Sequence, residues 1–356
     1  MTHSKRLLHV IESAATGTLS IANMAANEQT KNNDVSVVFS RRPDTPQNIE
    51  SLFEPTINLI EENLKASRFP FSVFALRKHL KQIKPDVVHC HSSFAGFVGR
   101  LAAIGLNTKV FYSPHCISFM RQDISAIKKG FFKAFELIAC VKKSTYIACS
   151  QSEYNAIKAA LPFVRVVLLE NAVDLSDFKT PINNVTQSAS LKVITVGGIR
   201  PQKGPVEFAK LANTFKKENI DFIWIGDGEQ EHKQCLLDAG VKVKGWMPRA
   251  DVINELAQAD LYLSTALWEG MPVSVIEACA AGVPVIARNC DGNKDIINHD
   301  SNGYLFNTTA QAIEQISSHL VSSDKLNTLA KLASQQVFKR FSVERFTSEL
   351  ARIYRS

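Results

Sequence analysis

Two glutamates separated by seven residues stand in LWEGMPVSVIEACAAGVPVIA (267–287). Glu269 precedes Gly270, Met271 and Pro272, and Glu277 sits among small and apolar residues. Pro272 suits the first turn of a helix. That puts Glu269 on the preceding loop and Glu277 about a turn and a half into the helix. The helix start over Gly270, Met271, Pro272, Val273 and Ser274 offers unpaired backbone amides and the positive end of the helix dipole, a natural anion site. Glu277 lies too deep to cap the helix, and a carboxylate buried there needs a partner. A ribose diol could supply it, and so could a nearby Arg or Lys. Glu269 reads either as a ligand-gripping residue or as a surface loop residue.

A second phosphate-compatible stretch is VGGIRPQKGPVEFAKLA (196–212). A strand turns through Gly197 and Gly198, and a helix begins near Pro205. Small residues let backbone approach a ligand, and Arg200 and Lys203 supply charge for phosphate oxygens. The segment is neither a G-x-G-x-x-G fingerprint nor a P-loop. A weaker counterpart follows the first strand, where Thr16-Gly17-Thr18 leads into a helix and Gly17 permits close approach. Asp227 in IGDGE and the backbone of KGWMP (244–248) are further possible contacts. Cations, a helix-start anion site and flanking carboxylates together fit a nucleoside diphosphate carrying a sugar. No metal is expected: no D-x-D or C-x-x-C occurs, and the seven cysteines read as small buried hydrophobes in a reducing cytoplasm.

The elements that must position these residues follow from the apolar pattern. Strands are expected over 5–11, 34–39, 85–90, 109–113, 145–150 and 164–169, then 191–197, 221–226, 241–245, 259–264 and 283–287. Helix-length stretches lie between them, among them 93–105, 124–143, 205–217 and 249–257. Near-continuous apolar strands alternating with helices imply parallel sheets covered on both faces. The polar stretch 178–191 is the candidate linker. The expected organisation is two doubly wound Rossmann-like α/β domains facing across a cleft. They span 1–180 and 181–340. A helix over 341–356, after Ser342, carries Phe346, Leu350 and Ile353 at helical spacing and is expected to pack back on the first domain. Ligands of such sheets sit beyond the carboxyl ends of the strands, where Glu269, Arg200 and Lys203 fall.

These segments resemble glycosyltransferase family 4, whose members have the GT-B fold and a retaining mechanism. The likeness rests on WEGMPVSVIEACAAGVPVIA with its E-x7-E pattern, on GGIRPQKG, IGDGE and VKGWMPRADVINELAQADLYLS, and on DGNKDIINHDSNGYLF, YSPHCISF and ENAVDLSDF. It covers nearly the whole chain and is strongest over 191–307. Two positions depart from the family pattern: only Gly17 stands where paired glycines are usual, and Cys116 follows His115 where Gly is common. The resemblance implies that Arg200 and Lys203 neutralise the donor diphosphate, assisted by the Met271–Ser274 amides and by close approach at Gly198. It implies that Glu277 binds the ribose and that Glu269 holds donor-sugar hydroxyls near the developing positive charge. His115 would contact the sugar from the opposite domain; the alternative is a structural histidine. It implies retention without a metal or other cofactor, with a nucleotide-diphosphate sugar, UDP-sugar favoured, as co-substrate.

The charge points to the acceptor side. Residues 65–143 hold 14 basic and 3 acidic residues within a chain of net charge +7. The segments 64–84 and 127–144 interleave cations with aromatic and aliphatic residues, as suits an anionic membrane surface or a lipid-linked acceptor. The other reading is a pair of ordinary amphipathic helices with Phe131, Phe135 and Ile138 in the core. No nucleic-acid-binding module is present. The N-terminus reads as a strand rather than a signal peptide, and no run of about 18 apolar residues occurs. The expectation is a cytoplasmic enzyme, peripheral on the inner face of the cytoplasmic membrane. It would build bacterial surface polysaccharide, lipopolysaccharide or glycolipid. The rival readings are a nucleotide-sugar epimerase of the same architecture and a non-catalytic nucleotide-sugar- or membrane-binding protein.

Overall fold

The computed structural model describes residues 4–14, 16–178 and 190–356. Most of the stretch read as a linker, residues 179–189, lies outside the described residues. The chain forms two compact units, Met1–Asn171 with Glu344–Ser356, and Ala172–Val343.

The first unit begins β1 (Arg6–Ile11), α1 (Thr16–Gln29), β2 (Asp34–Phe39), β3 (Asn58–Glu61), α2 (Phe69–Ile83) and β4 (Val87–His91). It continues α3 (Ser93–Ala102), β5 (Lys109–Ser113), α4 (Ala126–Ala139), β6 (Ser144–Ala148), α5 (Gln151–Ala160) and β7 (Arg165–Leu168). The seven strands form a parallel sheet in the order β3-β2-β1-β4-β5-β6-β7. The second unit runs β8 (Leu191–Val196), α6 (Pro205–Thr214), β9 (Ile220–Ile225), α7 (Gln230–Asp238), β10 (Lys242–Val243), α8 (Arg249–Ala257) and β11 (Leu261–Ser264). It closes with α9 (Val273–Ala280), β12 (Val285–Arg288), α10 (Asn293–Ile296), β13 (Tyr304–Phe306), α11 (Thr309–Val321) and α12 (Asp324–Arg340). Its parallel sheet has the order β10-β9-β8-β11-β12-β13. Strand order reverses between β1 and β4 and between β8 and β11, the switch points at which doubly wound sheets open room for a ligand.

The central strands form where expected because both faces are buried: all five residues of β4 are buried, as are the last five of β1. The edge strands β3 and β13, three or four residues long, were not anticipated. They are too short and too exposed to show a period. α13 (Val343–Arg355) buries Phe346, Leu350, Ile353 and Tyr354. Its Tyr354 ring packs 4.8 Å from Phe111 and 5.7 Å from His89, so the helix closes on the first sheet.

The helix α4 corrects one expectation. Phe131, Phe135 and Ile138 are not core residues; Phe131 is 62% exposed. The inward face carries Glu136 instead, ion-paired at 2.6 Å to the fully buried Arg100 of α3 and hydrogen-bonded by the hydroxyls of Tyr112 and Tyr146. The usual amphipathic arrangement is inverted: a satisfied charge inside, an aromatic stripe outside.

Candidate active site

Loops after β8, β11 and β12 converge in the second unit. The Arg200–Gly204 turn locks onto the loop after β11, with Thr265 Oγ1 donating to the carbonyls of Lys203 and Gly204 at 3.0 Å and the Leu267 amide donating to the Gln202 carbonyl at 2.8 Å. Gly204 is required twice over: its φ is +67°, and a Cβ there would stand 2.1 Å from the Thr265 carbonyl oxygen. The space at Gly197 and Gly198, read from sequence as room for a ligand, is instead filled by the two cations. A Cβ would stand 2.8 Å from Lys203 Cε and 3.0 Å from an Arg200 guanidinium nitrogen.

Glu269 lies where these loops meet and is 7% exposed, so it is no surface loop residue. Its Oε1 is ion-paired at 2.7 Å with Lys203 Nζ, and its Oε2 accepts from Gln202 Nε2 at 3.2 Å. Its amide donates to the Asp291 carbonyl at 3.0 Å, and Gly292 (φ +86°) packs so closely that a Cβ would lie 2.6 Å from Glu269 Cβ. Burial pushes the Lys203 ammonium down, but the Glu269 carboxylate outweighs this and holds it above its ordinary range. Arg200, by contrast, has no carboxylate partner among the described residues.

The helix after this loop starts at Val273, with Pro272 as its cap rather than its first residue. Gly270, Met271 and Pro272 are buried beside Glu269. The Val273 and Ser274 amides make no hydrogen bond among the described residues, and the Ser274 hydroxyl accepts from Tyr262 at 2.9 Å. Four residues on, Glu277 Oε1 is bound by Arg249 of α8, so a protein cation partners it. Arg249 is held in turn by Asp177 at 3.4 Å. Glu277 Oε2 has no hydrogen-bond partner among the described residues, which leaves one oxygen for a ligand. Burial raises the Glu277 carboxyl above its usual range, opposed by Arg249. Arg249→Met would strand this carboxylate. The expected loss is roughly 2 kcal/mol, below that of a fully buried pair because the guanidinium is part-exposed. The urea midpoint reports it, and an unchanged midpoint would contradict it.

His115 follows β5 in the first unit, and the backbone around it is unusual. His115 (φ +55°), Cys116 (φ +92°) and Ser92 (φ +83°) at the end of β4 all take left-handed conformations without being glycine. The loop is held by Glu153 at the first turn of α5. Glu153 Oε1 accepts from the amides of Cys116 and Ile117 at 2.8 Å, and Oε2 from Cys149 at 2.9 Å. Burial raises the Glu153 carboxyl and these hydrogen bonds oppose it. His115 is not isolated: its Nε2 lies 3.0 Å from His91 Nδ1, and His91 Nε2 lies 3.0 Å from His9 Nδ1. Gly17 falls in the first turn of α1.

Sequence reasoning missed Gln202, Arg249, Glu153, Gly292 and the histidines behind His115. Gly292 and Arg249 lie inside segments singled out for other reasons. The histidines carried a signal that went unused: in HVI and VVHCHS they sit at alternate positions of neighbouring strands.

A family model described as glycosyltransferase family 4 matches residues 18–177, and one described as glycosyl transferases group 1 matches 179–336. The chain is 28% identical over 335 residues to an Escherichia coli UDP-Gal:alpha-D-GlcNAc-diphosphoundecaprenol alpha-1,3-galactosyltransferase, covering 86% of this chain and 84% of that one. It is 27% identical to an uncharacterised 41.2 kDa protein in the cps region of Klebsiella pneumoniae, covering 98% and 99%. Among solved structures, Anabaena HepE in complex with UDP and glucose superposes with a TM-score of 0.83 at 18% identity, over 98% and 99% of the two chains. With two parallel Rossmann-like sheets of seven and six strands and these matches over both halves, the chain belongs to the family 4 glycosyltransferases of GT-B fold.

Proposed function

We propose that the chain transfers a sugar, with retention of configuration, from a UDP-sugar to a saccharide or lipid-diphosphate-linked acceptor during bacterial surface-polysaccharide assembly. The observation that carries this is the charge arrangement of the second unit. Arg200, with no carboxylate partner among the described residues, and the Lys203–Glu269 pair lie on loops that follow β8 and β11, strands at the switch point. The loop after β11 leads into two unpaired amides at a helix start. A diphosphate would draw Lys203 away from Glu269, releasing that carboxylate to sugar hydroxyls as positive charge develops at the anomeric carbon. The ribose would take the open Glu277 oxygen while Arg249 fixes the other. His115 would contact the reacting sugar. Two cations and a helix terminus neutralise the leaving group, so no metal is needed in this scheme. The similarity to an enzyme named for UDP-Gal and a diphosphoundecaprenol acceptor supports the donor and acceptor classes.

The test is to offer a panel of nucleotide sugars with a polyprenyl-diphosphate-linked GlcNAc acceptor. The expected product is one new glycosidic bond, with the anomeric configuration of the donor read by proton coupling. Conversion of the nucleotide sugar with no acceptor present would replace this reading with that of an epimerase; an inverted product would refute retention.

The same reading places the enzyme on the cytoplasmic membrane face. No helix among the described residues is long and apolar enough to cross a membrane. On α4, Ile127, Phe131, Phe135 and Ile138 are exposed beside Lys128 and Lys133, and on α2 Phe71 and Phe74 are exposed beside Lys78. Aromatic rings flanked by cations are the chemistry of an anionic interface. Phe74→Glu with Phe131→Glu is expected to abolish sedimentation with phosphatidylglycerol vesicles while leaving the urea midpoint unchanged. Binding to neutral vesicles that ignores salt would contradict the assignment.

A further inference from the structure

The period of the first sheet sets the histidines side by side. Along β1, Leu8 and Val10 enter one core while His9 points to the opposite face; along β4, Val88 and Cys90 enter that core while His89 and His91 point away. Parallel register pairs His9 with His89 and Ile11 with His91. His9, His89 and His91 are fully or almost fully buried, and burial pushes each well down, as it does His115; for His9 and His115 the value falls to about 4. All four are neutral at pH 7. A neutral imidazole donates from one nitrogen and accepts at the other, so rings hydrogen-bonded in series have coupled tautomers.

We propose that Gln29, His9 and His91 form a relay that holds His115 in its Nε2–H tautomer, leaving His115 Nδ1 as a bare lone pair. The Gln29 Oε1 can only accept, and it lies 2.8 Å from His9 Nε2, which therefore carries hydrogen. His9 Nδ1 then accepts from His91 Nε2 at 3.0 Å. That leaves His91 Nδ1 as acceptor for His115 Nε2–H, again at 3.0 Å. The remaining His115 nitrogen can accept a hydroxyl proton but cannot donate. Beside this chain, the Tyr354 hydroxyl lies 2.6 Å from His89 Nδ1, and His89 Nε2 meets Ser113 Oγ at 2.8 Å. One amide at the end of α1 thus orders the three rings of His9, His91 and His115. Gln29 is a positioning residue: it acts on the reacting sugar only through His115. This step rests on the reading of His115 as the substrate-contacting group.

The test uses the full chain labelled with 15N-histidine. Long-range 1H–15N correlation at pH 7.5, with His115 identified by its loss in His115→Gln, is expected to show a protonated His115 Nε2 and a bare Nδ1. Gln29→Met should convert that single tautomer into a mixture and lower kcat about tenfold with the donor KM unchanged. A protonated Nδ1 in the unsubstituted chain would overturn the relay. So would an unaltered tautomer in Gln29→Met. One equivalent of zinc in the purified chain would also overturn it, since the nitrogens of His9, His89 and His91 lie within 4.8 Å of one another and a metal would take the lone pairs the relay uses. Unimpaired transfer by His115→Ala alongside the expected tautomer would instead remove the catalytic reading and leave the relay standing.

Discussion

Arg200→Ala is expected to lower turnover by about 10²- to 10³-fold, the usual cost of removing one preorganised charge from a developing anion. It should do so without loss of stability, because Arg200 has no carboxylate to abandon among the described residues. Lys203→Ala should cost turnover to a similar degree and stability as well. Glu269 is 7% exposed and would lose its cation at 2.7 Å. A carboxylate left buried and unpaired is strongly destabilising. The two substitutions therefore separate along two axes, turnover and urea midpoint, and Lys203→Ala with Glu269→Gln should recover midpoint but not turnover. Calorimetry with a nucleotide sugar should show about 1–3 kcal/mol of lost affinity for Lys203→Ala. Undiminished transfer by Arg200→Ala would remove the loop after β8 from the donor site.

How far these roles could be read from sequence depended on whether the partner lay nearby in the chain. The strands β1, β4, β8 and β11 announce themselves because a parallel strand buried on both faces needs an unbroken apolar run, and the positions beyond their ends follow from that. Arg200, Lys203 and Glu269 lie at such positions. Their geometry does not follow in the same way, since the contact of Lys203 with Glu269 spans two loops and sixty-odd residues of chain. The partner of Glu277 was framed as a sugar or a protein cation, and Arg249 shows that the second holds for one oxygen. Composition alone could not orient α4, because Glu136 is the only acid in the helix and one buried partner, Arg100, inverts its faces. The alternation of the histidines is visible in the sequence, but their convergence depends on which strands lie side by side and in what register, which is set by the sheet as a whole.

That convergence leads to the second large effect, on acid stability. Burial lowers His9 and His115 to about 4 in the folded chain and holds His89 and His91 well below their ordinary range, against about 6.5 when unfolded. Below pH 6.5 the unfolded chain takes up protons that the folded chain refuses. The stability these groups contribute is thus whole above 6.5 and drains away as pH falls towards their folded values. At pH 5 His9 and His115 each cost about 2 kcal/mol, and the lowered His89 and His91 add to that loss. Glu12 and Glu153 act in the opposite sense, because burial raises their carboxyls and acid relieves them. Two such groups offset only part of the loss. The first unit should therefore unfold between pH 6.5 and 4.5 while the second persists. The probes separate the units: Trp224, Trp246 and Trp268 all lie in the second. Far-UV circular dichroism should fall by about half before tryptophan fluorescence changes. Coincident loss of both signals, or no change down to pH 4.5, would show that the buried histidines do not govern the acid limit of this fold.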